Sequence, residues 1–225
     1  MKININFIDS IIDFNISNIY CFEIYNKKYL YRISSLFYSL SNGELMEEVE
    51  CFDKDNNEVK LSNKIRMFTE YFNFDFDSKK YSADITKYVL SNIEQYDSEN
   101  ILKVHSKLCK LINKELSKLE LSISILNDEG IENIVKMFKL RINQKEDLLD
   151  NLLLIIDLEV VLNSNKILCF MNLKQYLTKE ELLEFYKYAI YNSVKIIMIE
   201  STKYDYLKDY ENIIVIDQSL DEIMI

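Results

Sequence analysis

The 225-residue chain has no proline, no tryptophan and only two glycines, Gly43 and Gly130. Each shortage excludes something. A phosphate-cradling loop of the GxxxxGK type needs two glycines five residues apart, and a dinucleotide fingerprint needs two or three close together. Two glycines this far apart build neither. Pro-rich recognition segments and collagen-like repeats are excluded on the same grounds. The chain has one histidine, His105, so a Ser–His–Asp triad or a Cys–His dyad must use it. It lies in a lysine-rich helical pattern with no serine-elbow motif, which reads as a surface or spacer position. None of the four cysteines (Cys21, Cys51, Cys109, Cys169) falls in a CxxC pair, so no zinc site is expected. Cys21, Cys51 and Cys169 sit in apolar runs and are expected as small buried hydrophobes. No apolar run reaches 18 residues and no charged-then-apolar leader opens the chain. The expectation is a soluble, reduced, cytoplasmic protein with no membrane partner.

What is present points to a folded α/β protein. At 48% hydrophobic residues the chain can fill a core, and its length suits one domain carrying an insertion. Lys and Arg number 27 against 37 Asp and Glu, a formal net charge of −10. Ile3, Ile5 and Phe7 alternate with polar residues as in a half-buried strand. The run Asn18–Ile24 reads as a second strand, followed by an amphipathic helix over about Lys28–Leu40 with Gly43 as its capping glycine. A hairpin is expected from Val49–Phe52 and Val59–Leu61 around the turn residues Asp53–Asn57. Ser62 or Asn63 then caps an expected helix over Lys64–Phe72.

The middle of the chain, about Lys79–Glu120, reads as two helices packing on each other and split near Asp97–Glu99. An apolar run (Leu121–Leu126), a turn, a helix over Ile131–Lys139 and a short strand at Leu140–Asn143 follow. The last third alternates helices with continuous apolar runs at Lys166–Met171, Lys195–Ile199 and Asn212–Ile216. Thr178 and Glu181 form a capping box before the helix between the first two runs. Such runs indicate a parallel sheet covered on both faces. The two ends, residues 1–78 and 145–225, thus build an α/β domain, and residues 79–144 form a helical insertion.

Three runs end in polar residues: Asn172, Glu200 and Asp217. Ligands of open α/β sheets sit outside the carboxyl ends of the strands, although polar residues also mark where strands leave a core. Basic residues form two groups. Lys103, Lys107, Lys110, Lys114 and Lys118 share one helical face, able to track a phosphate backbone or to be a solvated face. Lys27, Lys28 and Arg32, and Lys54, Lys60, Lys64 and Arg66, form smaller clusters in the first third. Carboxylates gather at Glu115, Glu120, Asp128, Glu129 and Glu132, either as hard-cation ligands without EF-hand spacing or as surface acids.

The order of these segments resembles a known family. KILCFMNLKQYLTKEELLEFYKYAIYNSVKIIMIES (Lys166–Ser201) is similar to the C-terminal core of the accessory protein of spacer acquisition in type II-A CRISPR loci, the Csn2 family. The likeness extends to MKININFID, to NIYCFEI with its helix, to Phe52-Asp53, to KIRMFTEYFNFDFDS and to KMFKLRIN, in the same order. The resemblance implies a P-loop-ATPase-like α/β head without a nucleotide site and an inserted helical leg. It implies a non-enzymatic homotetrameric ring that binds double-stranded DNA ends without sequence preference. The implied partners are CRISPR adaptation proteins and the RNA-guided effector nuclease. It further implies calcium near the head–leg junction. Ser122 and Ser124 stand where better-known members carry carboxylates, which leaves Glu120, Asp128 and Glu129 as metal candidates. The DNA-contact candidates are Lys54, Lys60, Lys64, Arg66, Lys27 and Lys28. Two other readings stand beside this one: a metal-dependent nuclease or degenerate nucleotide hydrolase using Glu200 and Asp217, and a helical scaffold that binds only proteins.

Overall fold

A computed structural model describes the chain except residues 63, 75–78, 120–129, 139, 141, 205–206 and 225, and the side chains of residues 79, 80 and 119. The chain divides into two compact units: Met1–Phe74 with Lys145–Ile225, and Asp75–Gln144.

The first unit is built on a six-stranded sheet. Its strands in spatial order are β5 (Ile65–Phe68), β6 (Ile167–Met171), β7 (Lys195–Glu200), β3 (Ile19–Ile24), β8 (Asn212–Ile216) and β9 (Glu222–Met224). The first five run parallel and β9 pairs antiparallel with β8. The three apolar runs of the last third, with Ile19–Ile24, are the buried centre of this sheet, as their unbroken hydrophobicity requires. Alternate residues take opposite faces. Tyr20, Phe22, Ile24, Ile197, Ile199, Ile214 and Ile216 pack on Ile33, Leu36, Phe37 and Leu40 of α1 (Lys27–Ser41). A small antiparallel sheet joins this core: β1 (Lys2–Ile5), flanked by β2 (Ile12–Asp13) and β4 (Val49–Phe52). The other face is covered by α5 (Leu148–Val161) and α6 (Lys179–Tyr191), which pack on each other; the Phe170 ring of β6 meets Phe185 of α6 edge-on at 5.5 Å.

Three expectations are corrected. The segment expected as a helix over Lys64–Phe72 contains strand β5, paired parallel to β6. Its apolar residues fit either period over so short a run, and pairing with β6 buries Ile65 while supplying backbone partners. The hairpin expected at Val49–Leu61 closes only through a bridge between Phe52 and Glu58; β4 pairs along its length with β1 instead. The strand expected at Leu140–Asn143 does not form at the described positions, Leu140, Ile142 and Asn143, which are irregular.

The second unit contains α2 (Lys79–Asn92), α3 (Gln95–Leu116) and α4 (Ile131–Met137). α2 and α3 each pack on α4, which was not expected as their common partner. The break between them falls at Ile93–Glu94 rather than at Asp97–Glu99.

With so little glycine, other residues take the left-handed positions that end helices. α1 closes with Gly43 (φ 86°), α5 with Asn163 (φ 47°) and α6 with Ser193 (φ 57°). Each terminus has the same pair of bonds; at α6 they are Ser193 N–H to Ile190 C=O, 3.0 Å, and Val194 N–H to Ala189 C=O, 2.9 Å. A left-handed conformation costs an L-residue about 1–2 kcal/mol. Ser193→Gly is therefore expected to raise stability by about 0.5–1 kcal/mol, and Gly43→Ala to lower it by about 1 kcal/mol, both measured by urea unfolding.

Candidate functional site

The carboxyl ends of the parallel strands are where an open α/β sheet offers a ligand site. In this chain that end is filled by a buried charge cluster. Lys174, in the short 3-10 turn after β6, extends its ammonium to Glu211, 3.0 Å from Oε1 and 2.8 Å from Oε2. Neither side chain reaches solvent (1% and 0% exposed). Glu211 also accepts from Tyr186 Oη at 2.8 Å and from the Leu207 N–H at 3.1 Å. Glu200 and Glu23 face each other in the register of β7 and β3, on the same side of the sheet, and both are fully buried. Glu23 accepts from Tyr25 Oη and the Tyr204 N–H; Glu200 accepts from the Lys174 N–H at 3.1 Å. Burial works against the Lys174 charge, but Cys21 and Glu211 outweigh it and hold the ammonium above its ordinary value. Burial and then Glu211 push the Tyr186 hydroxyl far up.

The polar strand ends picked out from sequence do different work. Asn172 turns the chain in a left-handed conformation (φ 54°), and its Oδ1 accepts the Ser201 N–H at 2.9 Å. Asp217 turns outward and accepts from Ser219 and from the Asp221 N–H of its own turn. Glu200 is buried within the charge cluster, whereas Asp217 bonds within its own turn. The connection from β3 to α1 is only Tyr25–Asn26. The Asn26 side chain accepts from the N–H groups of Lys28 and Tyr29, so the helix N-terminus is already capped. A phosphate-cradling loop has no length to form there.

The amino ends of the strands are opposite in character. Lys64 and Lys166 immediately precede β5 and β6, and Lys195 begins β7. Ile65 pairs with Ile167, and Ile167 with Lys195, so Lys64 and Lys166 are in register at the starts of their strands, while Lys195 lies one residue further along with its side chain on the alternate face. Lys64 is exposed; Lys166 and Lys195 line a groove of about 180 Å³ with Asn163, Asn165 and Asn192. Lys54 and Lys60 are exposed around the Asp53–Asn57 turn, and Lys27 and Lys28 on the first turn of α1. Arg66 is corrected. It is 6% exposed and pairs with Glu159 of α5 at 2.9 Å, so it belongs to the core under the α5 face and is closed to a ligand. Its place inside β5 sets this, because β5 turns Ile65 to the α1 face and hence Arg66 to the α5 face.

Sequence reasoning missed Lys166, Lys195, Glu23, Lys174 and Glu211. A signal existed for Glu23, a lone acid inside an otherwise apolar strand, and for the lysines, each placed where an apolar run starts. Nothing in the pattern marks Lys174 and Glu211 as partners. The metal candidates Glu120, Asp128 and Glu129 lie outside the described residues. Among the described residues no group of three or more His, Cys, Asp or Glu side chains is placed to hold a metal ion. His105 lies one turn from Cys109, whose sulfur is 3.7 Å from its Nε2. No described helix is long and apolar enough to cross a membrane.

The family model of the CRISPR-associated protein Csn2 matches residues 43–220. The chain belongs to the Csn2 family. The match runs from the end of α1 to the turn after β8, so it takes in both units of this Csn2-family chain and gives it a CRISPR-associated role. No individually curated protein matches it by sequence.

The buried ion pair gives a stability prediction. Lys174→Met leaves the Glu211 charge buried without its counter-ion and should cost about 3–5 kcal/mol. Lys174→Met/Glu211→Gln should recover a large part of that loss. Urea unfolding followed by tyrosine near-UV dichroism measures both.

Proposed function

We propose that this Csn2-family chain is a non-enzymatic protein that binds double-stranded DNA ends without sequence preference, as a ring of four copies, in support of CRISPR spacer acquisition. The observation that carries the reading is the basic amino end of the sheet, where Lys64, Lys166 and Lys195 stand at the starts of three adjacent strands, with Lys54 and Lys60 exposed around the preceding turn, in a chain whose net charge is −10. Lys54, Lys60 and Lys64 make no ion pair with another described residue. Four copies carry four times −10, so the protein as a whole repels a polyanion, and binding depends on such local concentrations of lysine. Rotational symmetry repeats each lysine around the ring. Contacts of ammonium groups to phosphates carry no base information, which fits binding without sequence preference. The sealed carboxyl end supports the non-enzymatic part of the reading. Adaptation proteins and the RNA-guided effector nuclease are the proposed partners in the CRISPR pathway.

The helical unit supports self-association. On α3, Val104, Leu108 and Leu111 are 65%, 51% and 63% exposed, and Phe138 after α4 is 73% exposed. Val104, Leu108 and Phe138 line an apolar groove of about 580 Å³ between the two helices, and Leu111 extends the exposed stripe of α3 beyond it. An exposed apolar patch of this kind is a contact surface awaiting its partner. In the proposal that partner is a second copy. Calcium held by Glu120, Asp128 and Glu129 is the remaining part, supported by the oxygen-rich chemistry of those side chains.

Light scattering on size-exclusion, with and without linear duplex and calcium, tests assembly, binding and metal dependence together. Leu108→Glu/Leu111→Glu should reduce the tetramer to smaller species without loss of helical dichroism; an unchanged tetramer removes the groove from the assembly. The triple variant Lys60→Ala/Lys64→Ala/Lys195→Ala should lower the slope of affinity against salt by about three. Lys107→Ala/Lys114→Ala, on α3, should change it little. The reverse result moves the interface to the helical unit. Equal affinity for linear and nicked-circular duplex refutes end binding.

A further inference from the structure

The buried cluster at the carboxyl end holds a group that DNA binding does not use. Glu200 is fully buried. Its Oε1 accepts the Lys174 N–H, while Oε2 has no hydrogen-bond partner. The charged and titratable groups around the cluster come from every packed element. Glu23 and Cys21 come from β3, Lys174 from the turn after β6, and Tyr186 from α6. Glu211 comes from the segment before β8, and Tyr71 from the segment after β5. Lys174 is the single cation in this set, and its ammonium contacts both oxygens of Glu211. Tyr186 and the Leu207 N–H also donate to Glu211. Glu211 is therefore a satisfied carboxylate. Glu200 receives no ammonium contact, and its cross-strand neighbour is another acid, Glu23. An ionised carboxylate with an orphan oxygen in such a place bears a large desolvation cost, whereas a neutral carboxylic acid avoids most of it.

We propose that Glu200 is a proton-binding lock: the closed head holds it as a neutral carboxylic acid, and its ionisation loosens the packing of the strand-end loops around Lys174 and Glu211. When the proton leaves, a second buried charge joins Glu211 around the Lys174 ammonium. Burial, joined by the Glu211 charge and offset only in part by the Lys174 N–H and ammonium and the Leu173 N–H, raises the Glu200 carboxyl from 4.5 to about 7. Between those two values the folded chain binds more protons than the unfolded one. Stability therefore falls as pH rises from 4.5 to about 7 and levels off above that range. The proposal is independent of the DNA-binding reading.

The test is a carbon-13 titration of glutamate side-chain carboxyls in the full chain, with Glu200 assigned through its own backbone. Its midpoint is expected near 7. A midpoint in the ordinary glutamate range overturns the proposal. So does a midpoint that drops when calcium or potassium replaces tetramethylammonium at equal ionic strength, since the carboxyl is then a cation ligand. Thermal melts provide the second measurement. Glu200→Gln should melt about 5 °C above wild type at pH 8 and within about 1 °C of it at pH 5. The same difference at both pH values also overturns the proposal. The wild-type titration decides the matter even if the variant does not fold.

Discussion

The contact between Lys174 and Glu211 closes the end of the sheet that most α/β proteins leave open for a ligand. The pair draws together segments distant in sequence: the turn after β6, helix α6 through Tyr186, and the segment before β8. A buried ion pair of this kind adds little net stability, because desolvating two charges offsets most of their attraction. Its effect is on specificity of packing. The geometry that satisfies Glu211 fixes where each loop lies, and a loop that shifts leaves a charge unpaired in the core. The unpartnered oxygen of Glu200 follows from the same arrangement, since the one available ammonium is already taken.

Much of the first unit was legible in the sequence because its strands are buried on both faces. Ile19–Ile24, Ile167–Met171, Lys195–Glu200 and Asn212–Ile216 read as unbroken apolar runs, and that pattern arises in few other settings. The capping box at Thr178 and Glu181 is a local signal and formed as read. What failed depended on partners distant in sequence. β5 is one edge of the sheet and four residues long, so its pairing with β6, about a hundred residues later, outweighed a helical period that had no packing to support it. Arg66 looked like a member of a basic cluster because Lys60 and Lys64 are its neighbours in sequence. Its strand turns it instead towards Glu159, which no local pattern connects to it. The grouping of Lys64, Lys166 and Lys195 at the amino end of the sheet was hidden for the same reason: it exists only once three strands lie side by side.

The helical unit divides differently. The apolar positions of α3 were read as one face of a packed helix pair, and Cys109 and the contact with α4 satisfy a part of that stripe. The remainder, from Val104 to Leu111, stays exposed. An apolar stripe can be recognised from its spacing, but spacing does not say whether its cover comes from the same chain or from another. That is why the helices were legible and the cover of their exposed stripe was not.

The lysines at the starts of β5, β6 and β7 have a consequence in the range over which charge acts. Neighbouring strands lie about 4.8 Å apart, so the starts of three adjacent strands span about 10 Å. This is close to the Debye length of about 8 Å at physiological ionic strength. A polyanion further away than that meets the net charge of −10; one within reach of the sheet's amino end meets the local lysines. Salt has two opposed effects on such an approach: it dampens the repulsion from the rest of the surface while it weakens any contact with the basic edge.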